Sequence, residues 1–136
     1  MFKLYTDGGS RGNPGNSAVA FLLFEESGKL VDFGAKFLGT ATNNYAEYTA
    51  LIQGLTLARK NSIKNLSCFL DSELVVKQLK GEYKISSSEI KSLSSKVIEL
   101  KKDFTNIDFT HVPREENKFA DKLVNLILDT NEAKSA

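Results

Sequence analysis

The sequence predicts an α/β fold: a five-stranded mixed sheet, with three antiparallel strands and two parallel additions, and about four helices on its faces. Three segments of strand character follow one another through short turns at the start of the chain, which is typical of an antiparallel meander. Strands then alternate with amphipathic helices, and a strand–helix–strand crossover adds parallel strands to a sheet. The predicted order is β-β-β-α-β-α-α-β-α.

The three N-terminal strands are indicated by apolar runs and by alternation. Residues 2–5 form an apolar run that leads into Asp7 and then into a loop of glycines and one proline. Residues 17–24 form the second run, and Gly28 supplies the positive φ of the turn that follows. In the third strand, apolar residues alternate with other types at Val31, Phe33, Ala35 and Phe37.

A long helix is predicted from about Thr42 to Lys60, because Thr or Asn at its start can cap free N–H groups. Its buried face carries Glu47 and Gly54. Glycine costs about 1 kcal/mol relative to alanine inside a helix, so we expect Gly54 to pack closely against the sheet. A carboxylate on a buried face is unexpected unless it is paired or bound to a metal.

The second half of the chain begins with a fourth strand over residues 65–70, which ends at Asp71. Ser72 then caps a short helix, and Ser86 with Glu89 resembles a capping box for the next helix. The remaining elements are a fifth strand over residues 106–112, a loop over residues 113–117 and a last helix to about residue 128.

Composition limits the classes of function. The 136 residues fit one domain, which we place at residues 1–130, with a frayed tail over residues 131–136. A net charge of +1 means that any nucleic-acid affinity comes from local patches. The single Cys68 allows no intrachain disulfide and fits a reducing compartment. The chain has neither a membrane-spanning apolar run nor a signal-peptide pattern, so we expect a cytoplasmic protein without a membrane partner.

Four acidic residues lie at the ends of predicted strands or near the starts of predicted helices, where charged groups can form a ligand site. Asp7 and Asp71 both end predicted strands, and Glu47 and Asp121 lie near the starts of predicted helices. One such residue is usually a solvated charge. If the first and fourth strands are parallel neighbours, however, their carboxyl ends lie side by side, where open α/β sheets bind ligands.

Crowded carboxylates favour a divalent cation, because they repel one another and their pKa values rise. Ligands that are all oxygen suit Mg²⁺ or Mn²⁺. Two such ions about 4 Å apart can clamp the attacking and leaving oxygens of a phosphodiester, and no side-chain nucleophile is then required. A glycosidase needs only two carboxylates, which leaves the glycine segment and the Asn43–Asn44 pair unexplained.

Four motifs resemble those of type 1 ribonucleases H. They are TDGGSRGNPG at residues 6–15, TNNYAE at 42–47, DS at 71–72 and VPREENKFAD at 112–121. The match in residue type, order and spacing covers residues 2 to about 128. It implies the ribonuclease H fold and endonucleolytic cleavage of the RNA strand of RNA–DNA hybrids, largely independent of sequence, with 5′-phosphate and 3′-hydroxyl products.

The resemblance also implies the roles of individual residues. Asp7 and Asp71 match the innermost ligands of two Mg²⁺ or Mn²⁺ ions. Glu47 matches a residue that holds one of these ions and meets the RNA 2′-hydroxyl or the attacking water. Asp121 matches a ligand of the other ion. Ser72 matches a position near the bound strand, and Glu73 replaces an amide common in the family. The positions that match substrate contacts are Gly8, Gly9, Ser10, Gly12, Asn13, Asn43, Asn44 and Ser72.

Many members of the family carry a histidine in the loop before the last acidic residue. Aligned on the Val-Pro dipeptide, that histidine is replaced here by Glu115. Counted back from Asp121, His111 is in register instead. We favour the first alignment, in which Arg114 and Glu115 act as partial substitutes and His111 is a strand-end residue.

A second departure is the absence of a basic, tryptophan-bearing handle. Residues 77–84 lead directly into the next helix, and the chain has no Trp. We also expect no N-terminal hybrid-binding domain, and a monomer without a small-molecule cofactor. Hybrid binding should therefore be weak and strongly salt-dependent. Either a modest phosphate-facing patch or a solvated helix face accounts for Lys77, Lys80, Lys84 and Lys91.

Two other functions remain as alternatives. One is a catalytically silent module that binds hybrids or other nucleic acids, which would not need to keep four mutually repelling carboxylates. The other is a different nuclease of the ribonuclease H superfold. The segment from Gly8 to Asn13 and the Asn43–Asn44 pair favour hybrid cleavage over this second alternative.

Overall fold

The computed structural model describes residues 1–135, which form five strands, four α-helices and one 3₁₀ turn. The strands are β1 (Phe2–Gly12), β2 (Gly15–Phe24), β3 (Leu30–Ala41), β4 (Asn65–Leu70) and β5 (Asn106–His111). The helices are α1 (Asn43–Lys60), α2 (Glu73–Leu79), α3 (Ser88–Lys101) and α4 (Lys118–Ser135), and the 3₁₀ turn is Arg114–Asn117. None of the helices in this described part is long and apolar enough to cross a membrane.

The strands form one mixed sheet in the order β3-β2-β1-β4-β5. β1 pairs antiparallel with β2, and β2 with β3, whereas β1–β4 and β4–β5 are parallel. The predicted fold class is confirmed: a meander of three strands with two parallel additions. β1 is the central strand, and its two neighbours run in opposite directions.

Helix α1 packs on one face of the sheet, together with α2 and α3. The Thr42 side chain caps it by accepting a hydrogen bond from the Tyr45 N–H. The expected close packing of Gly54 is confirmed, since a Cβ there would lie 3.0 Å from side-chain atoms of Leu4 and Thr6. α1 therefore lies close to β1, which brings Glu47 to the sheet.

Helix α4 covers the other face, over β2 and its neighbours. Ala18, Ala20 and Leu22 of β2 pack against α4, where the buried residues are Ala120, Val124 and Leu128. Small residues on the strand allow the helix to come close to the sheet. The first turn of α4 holds Asp121.

The prediction of a glycine loop after Asp7 is wrong, because β1 continues through this segment to Gly12. It pairs with β2 as far as Gly12 opposite Gly15. Antiparallel pairing uses backbone N–H and C=O groups, which glycine supplies as well as any residue. Gly12 itself has a φ of 96°, and a cis peptide bond joins Asn13 to Pro14 in the turn. Asp7 therefore lies within a strand.

Two helix boundaries also differ from the predictions. Ser87, not Ser86, caps α3 by accepting a hydrogen bond from the Ile90 N–H at 3.3 Å. Helix α4 does not end near residue 128 but continues to Ser135. Residues 131–135 are thus helical rather than a frayed tail, while Ala136 lies outside the described residues.

An ion-pair cluster joins the last turns of α4 to the sheet. Arg11, near the tip of β1, forms salt bridges with Asp129 at 2.7 Å and Glu132 at 2.8 Å, and it contacts the Asn125 side chain at 3.2 Å. These contacts join residues far apart in the chain, so local sequence patterns do not reveal them. They tie the last turns of α4 to the hairpin of β1 and β2.

Candidate active site

Three carboxylates meet where the parallel ladder between β1 and β4 ends. The last pair of that ladder is Thr6–Leu70, and Asp7 and Asp71 are the next residues along the chain after each member of the pair. Glu47 reaches them from α1. One carboxylate oxygen from each of these three residues lies within 4.8 Å of the others.

The position of Glu47 depends on Gly8. The Gly8 N–H donates a hydrogen bond to Glu47 Oε1 at 2.6 Å. β1 and α1 are so close here that a Cβ on residue 8 would overlap the carbonyl group of Ala46. Glycine therefore lets the strand approach the helix and present its amide to the carboxylate.

The three carboxyl groups are strongly perturbed. Asp7 and Glu47 are each 7% exposed, and Asp71 is half-buried. Burial, followed by the charge of Asp71, raises the pKa of Asp7 to about 7. Burial, followed by the charge of Asp7, raises the pKa of Glu47 well above its usual value, and burial raises that of Asp71. A cation bound between them would relieve both the burial penalty and the repulsion.

The perturbed Asp7 makes stability depend on pH. In chelator, the free energy of unfolding should fall by a few kcal/mol as pH rises from about 4 to about 7. In this range folded Asp7, with a pKa of about 7, keeps a proton that the unfolded chain has lost. Denaturant titrations at several pH values measure the slope. A flatter slope in Asp7→Asn would identify the group, and a stability that rises across this range would contradict the expectation.

Asp121 lines the same cleft but lies outside the group of three. Its Oδ1 is 3.7 Å from the Nε of Arg114, and its charge adds to burial in raising the pKa of Asp7. The charge of Arg114 acts on Asp71 in the opposite direction and lowers its pKa, against the larger effect of burial. The cleft is thus lined by four carboxylates and by two guanidinium groups, those of Arg114 and Arg11.

The cleft has a volume of about 530 Å³. Of the substrate-contact residues predicted from the sequence, it brings together Gly8, Gly9, Ser10, Asn43 and Ser72. Gly12, Asn13 and Asn44 are not among its lining residues. The sequence analysis missed four lining residues, namely Arg11, Val124, Asn125 and Leu128. Asn125 and Leu128 follow Asp121 by four and by seven residues, so helical spacing could have placed them on the same face of the last helix.

Hydrogen bonds fix the rim of the cleft. The Ser10 N–H donates to Asn43 Oδ1 at 2.9 Å, and the Asn43 N–H donates to Asn13 Oδ1 at 3.1 Å. The Ser10 hydroxyl lies within hydrogen-bonding distance of the carbonyl oxygens of Gly12 and Ala41 and can donate to either. These hydrogen bonds attach the tip of the β1–β2 hairpin to the start of α1. Asn13 helps to hold the rim because its side chain binds the backbone of Asn43.

The three accessory residues lie in different places. Arg114 lines the cleft, whereas Glu115 lines a separate cavity. His111 pairs with Leu70 at the end of β5, and its Nδ1 is 4.0 Å from Glu73. Ser72 caps α2 by accepting a hydrogen bond from the Val75 N–H at 3.3 Å.

Comparisons with known proteins extend over almost the whole chain. A family model described as "Reverse transcriptase-like" matches residues 5–127. Ribonuclease HI of Halobacterium salinarum is 41% identical over 125 residues, which are 92% of this chain and 63% of that protein. The bifunctional protein Rv2228c of Mycobacterium tuberculosis is 37% identical over 90% of this chain. This chain spans only 34% of that longer relative.

Two solved structures that resemble this chain are also of RNase H1 proteins. The crystal structure of RNase H1 from Halobacterium salinarum superposes with a TM-score of 0.92 at 40% identity, covering 95% of this chain and 98% of that one. The crystal structure of LC11-RNase H1 in complex with an RNA/DNA hybrid has a TM-score of 0.91 at 34% identity. It covers 96% of this chain and 99% of that one.

Proposed function

This chain belongs to the type 1 ribonuclease H family, and on that premise we propose that it cleaves the RNA strand of RNA–DNA hybrids. The observation that carries the proposal is the cluster of Asp7, Glu47 and Asp71 in an open cleft beside a hydrogen-bonded hairpin. The hybrid-bound relative has this fold at 34% identity, which supports the choice of substrate.

The site fits divalent metal ions. Three carboxylates with raised pKa values, all offering oxygen, form a donor set that suits Mg²⁺ or Mn²⁺. Asp7, Glu47 and Asp71 would hold them, with Asp121 completing the set for a second ion. Two ions, when bound, would stabilise the attacking and leaving oxygens of the phosphodiester, which gives 5′-phosphate and 3′-hydroxyl ends.

The residues of the chain itself orient these groups and the substrate. The Gly8 amide fixes Glu47, and Arg114 lies beside Asp121. Ser10 and Asn43 present polar groups at the rim, where they can meet the 2′-hydroxyls that distinguish RNA from DNA without reading bases. All of these residues come from one chain, so the proposed activity needs no second copy.

One assay tests the proposal directly. Labelled RNA–DNA hybrid, double-stranded RNA, duplex DNA and single strands are incubated with the protein in Mg²⁺, in Mn²⁺ and in chelator. We expect internal cuts in the RNA of the hybrid alone, and none in chelator. Hybrid binding without cleavage would instead indicate a silent binding module, and cleavage of duplex DNA would indicate another nuclease.

Hybrid binding should weaken steeply with salt. Of the four lysines predicted to form either a basic patch or a solvated helix face, Lys77 pairs with Glu73 at 3.1 Å and lies over the Tyr83 ring. The remaining affinity rests on phosphate contacts, which release counterions and give a linear fall of log affinity with log salt. Fluorescence anisotropy with Asp7→Asn and labelled hybrid measures the slope, and constant affinity over a tenfold range of salt would contradict this expectation.

Arg114 should contribute more to turnover than His111. Arg114→Ala removes the cation beside Asp121 and is expected to lower kcat about tenfold. His111→Ala removes only a contact to Glu73 and should leave kcat within about twofold. Arg59→Ala, which removes a surface pair with Asp103, is the matched control for a lost guanidinium. A larger loss in His111→Ala than in Arg114→Ala would reverse the assignment.

A further inference from the structure

A second cavity of about 380 Å³ lies behind the 3₁₀ turn, on the sheet face that carries α4. Its walls include Tyr5, Phe24, Asn117 and Phe119, and it shares no lining residue with the carboxylate cleft. Its volume is in the range of small-molecule sites, about 300–1,000 Å³. None of the residues given a role above in catalysis or hybrid binding contributes to it, apart from the accessory candidate Glu115.

Aromatic rings form its apolar wall. Tyr5 is stacked on Phe69 with ring centroids 4.9 Å apart and meets Phe24 edge-on at 5.7 Å, so its orientation is fixed by packing. Phe119 also lines the cavity and is 58% exposed, with Lys118 Nζ 5.5 Å from its ring centroid. The rings of Tyr5, Phe24 and Phe119 in the lining offer apolar surface to a planar ring.

The polar feature of the cavity is Asn117, which is 1% exposed. Its Nδ2 donates to the Thr6 carbonyl oxygen at 2.8 Å, which fixes the direction of the amide. Its Oδ1 receives no hydrogen bond from any residue in the described range 1–135. Buried amide oxygens are normally paired, so this acceptor calls for an N–H or O–H donor.

Charge at the cavity is balanced. Lys3 and Lys118 face Glu115 and Glu116 around the lining. Burial and the charge of Glu116 raise the pKa of Tyr5, so its hydroxyl stays protonated and can donate a hydrogen bond. Besides these two lysines and two glutamates, whose charges balance, the cavity has stacking rings, the Asn117 acceptor and the Tyr5 donor. The balance of charge favours a neutral ligand over a phosphate or a carboxylate.

We propose that this cavity binds an aminated nucleobase, in which a planar ring stacks on the aromatic wall and an exocyclic amine donates to Asn117 Oδ1. Nucleobases carry both the amine and the ring-nitrogen acceptor that match Asn117 and Tyr5. The base could come from a free nucleoside or from an unpaired nucleotide of a strand. The proposal does not depend on hybrid cleavage, because the cavity and the cleft have separate walls.

Titration of the full chain with adenosine, followed by NMR, tests the proposal. We expect saturable shifts of the Asn117 side-chain amide and the Tyr5 ring. N6,N6-dimethyladenosine, which lacks the N–H donor, should bind about fivefold more weakly. An oligoadenylate in chelator separates the two sources: binding tighter than that of adenosine identifies a strand, and weaker binding a free nucleoside. The absence of saturable shifts, or equal affinity for the dimethylated nucleoside, would overturn the proposal.

Variants complete the test. Phe119→Ala should weaken adenosine binding about tenfold, because base–aromatic stacking is lost at an exposed position that does not hold the core. Phe33→Ala is the matched control, since Phe33 is 54% exposed and lies outside the cavity. Asp7→Asn should bind adenosine normally even if it cuts nothing. Equal affinity of Phe119→Ala and the unmodified chain, or competition by indole at the same concentration as adenosine, would show a merely apolar cavity.

Discussion

Asp7→Asn is expected to lower the rate of hybrid cleavage by about three orders of magnitude or more. Asp7 lies in the carboxylate cluster with Glu47 and Asp71 and directly follows the last parallel pair of β1 with β4. Asparagine keeps the shape but removes the charge that divalent ions require. Single-turnover cleavage of a labelled hybrid in Mg²⁺ measures the loss.

The same substitution should leave the fold intact. In chelator near pH 7, Asp7→Asn is expected to unfold at a higher temperature than the unmodified chain, because a buried, repelling carboxylate has been removed. Asp108→Asn, at an exposed position on β5, is the control for a lost surface carboxylate. A variant that kept more than about a tenth of the activity would exclude Asp7 from the proposed role.

Gly8→Ala should have the largest effect on stability among single-methyl changes near the site. Its Cβ would overlap the Ala46 carbonyl, which is backbone and has no rotamer to escape into. We expect a loss of about 3 kcal/mol or more in the free energy of unfolding. Any folded fraction should cleave slowly, because moving the strand away from α1 breaks the hydrogen bond to Glu47.

Gly9→Ala provides the control one residue along the same strand. A Cβ at residue 9 would lie 3.3 Å from Val124 Cγ1, a side-chain atom that can shift. Its cost should stay below about 1 kcal/mol. Urea titrations of both variants give the comparison. Similar stabilities of the two variants would show that the close approach of β1 to α1 does not exclude a side chain at residue 8.

The sheet and its helices were predictable because their signals are local. Alternation marked β3, caps marked α1 and α2, and Asp71 followed directly after the apolar run of β4. The meeting of Asp7 with Asp71 followed from the predicted parallel pairing. Gly54, which is unfavourable in a helix, correctly indicated close packing.

The errors have physical causes that one sequence does not display. Gly8, Gly9 and Gly12 suggested a loop, but the opposing strand β2 supplies partners for their backbone groups. The last turns of α4 are paired with Arg11, which is more than a hundred residues away along the chain. In the sequence, Asn117 was only one residue of a motif. Only the structure shows that its side-chain nitrogen donates to the Thr6 carbonyl oxygen and that its side-chain oxygen is left without a hydrogen bond from residues 1–135.

The two neighbours of β1 also have a consequence for the order of folding. β1 and β2 form a hairpin between neighbours in sequence, whereas β1 meets β4 only after the whole of α1 has been bridged. Pairings between distant segments form late, because the chain must first close a long loop. We therefore expect Asp7 and Asp71 to come together, and to repel each other, only after the β1–β2 hairpin has formed. A divalent cation would then act on the native state rather than on the nucleus, slowing unfolding more than it speeds folding.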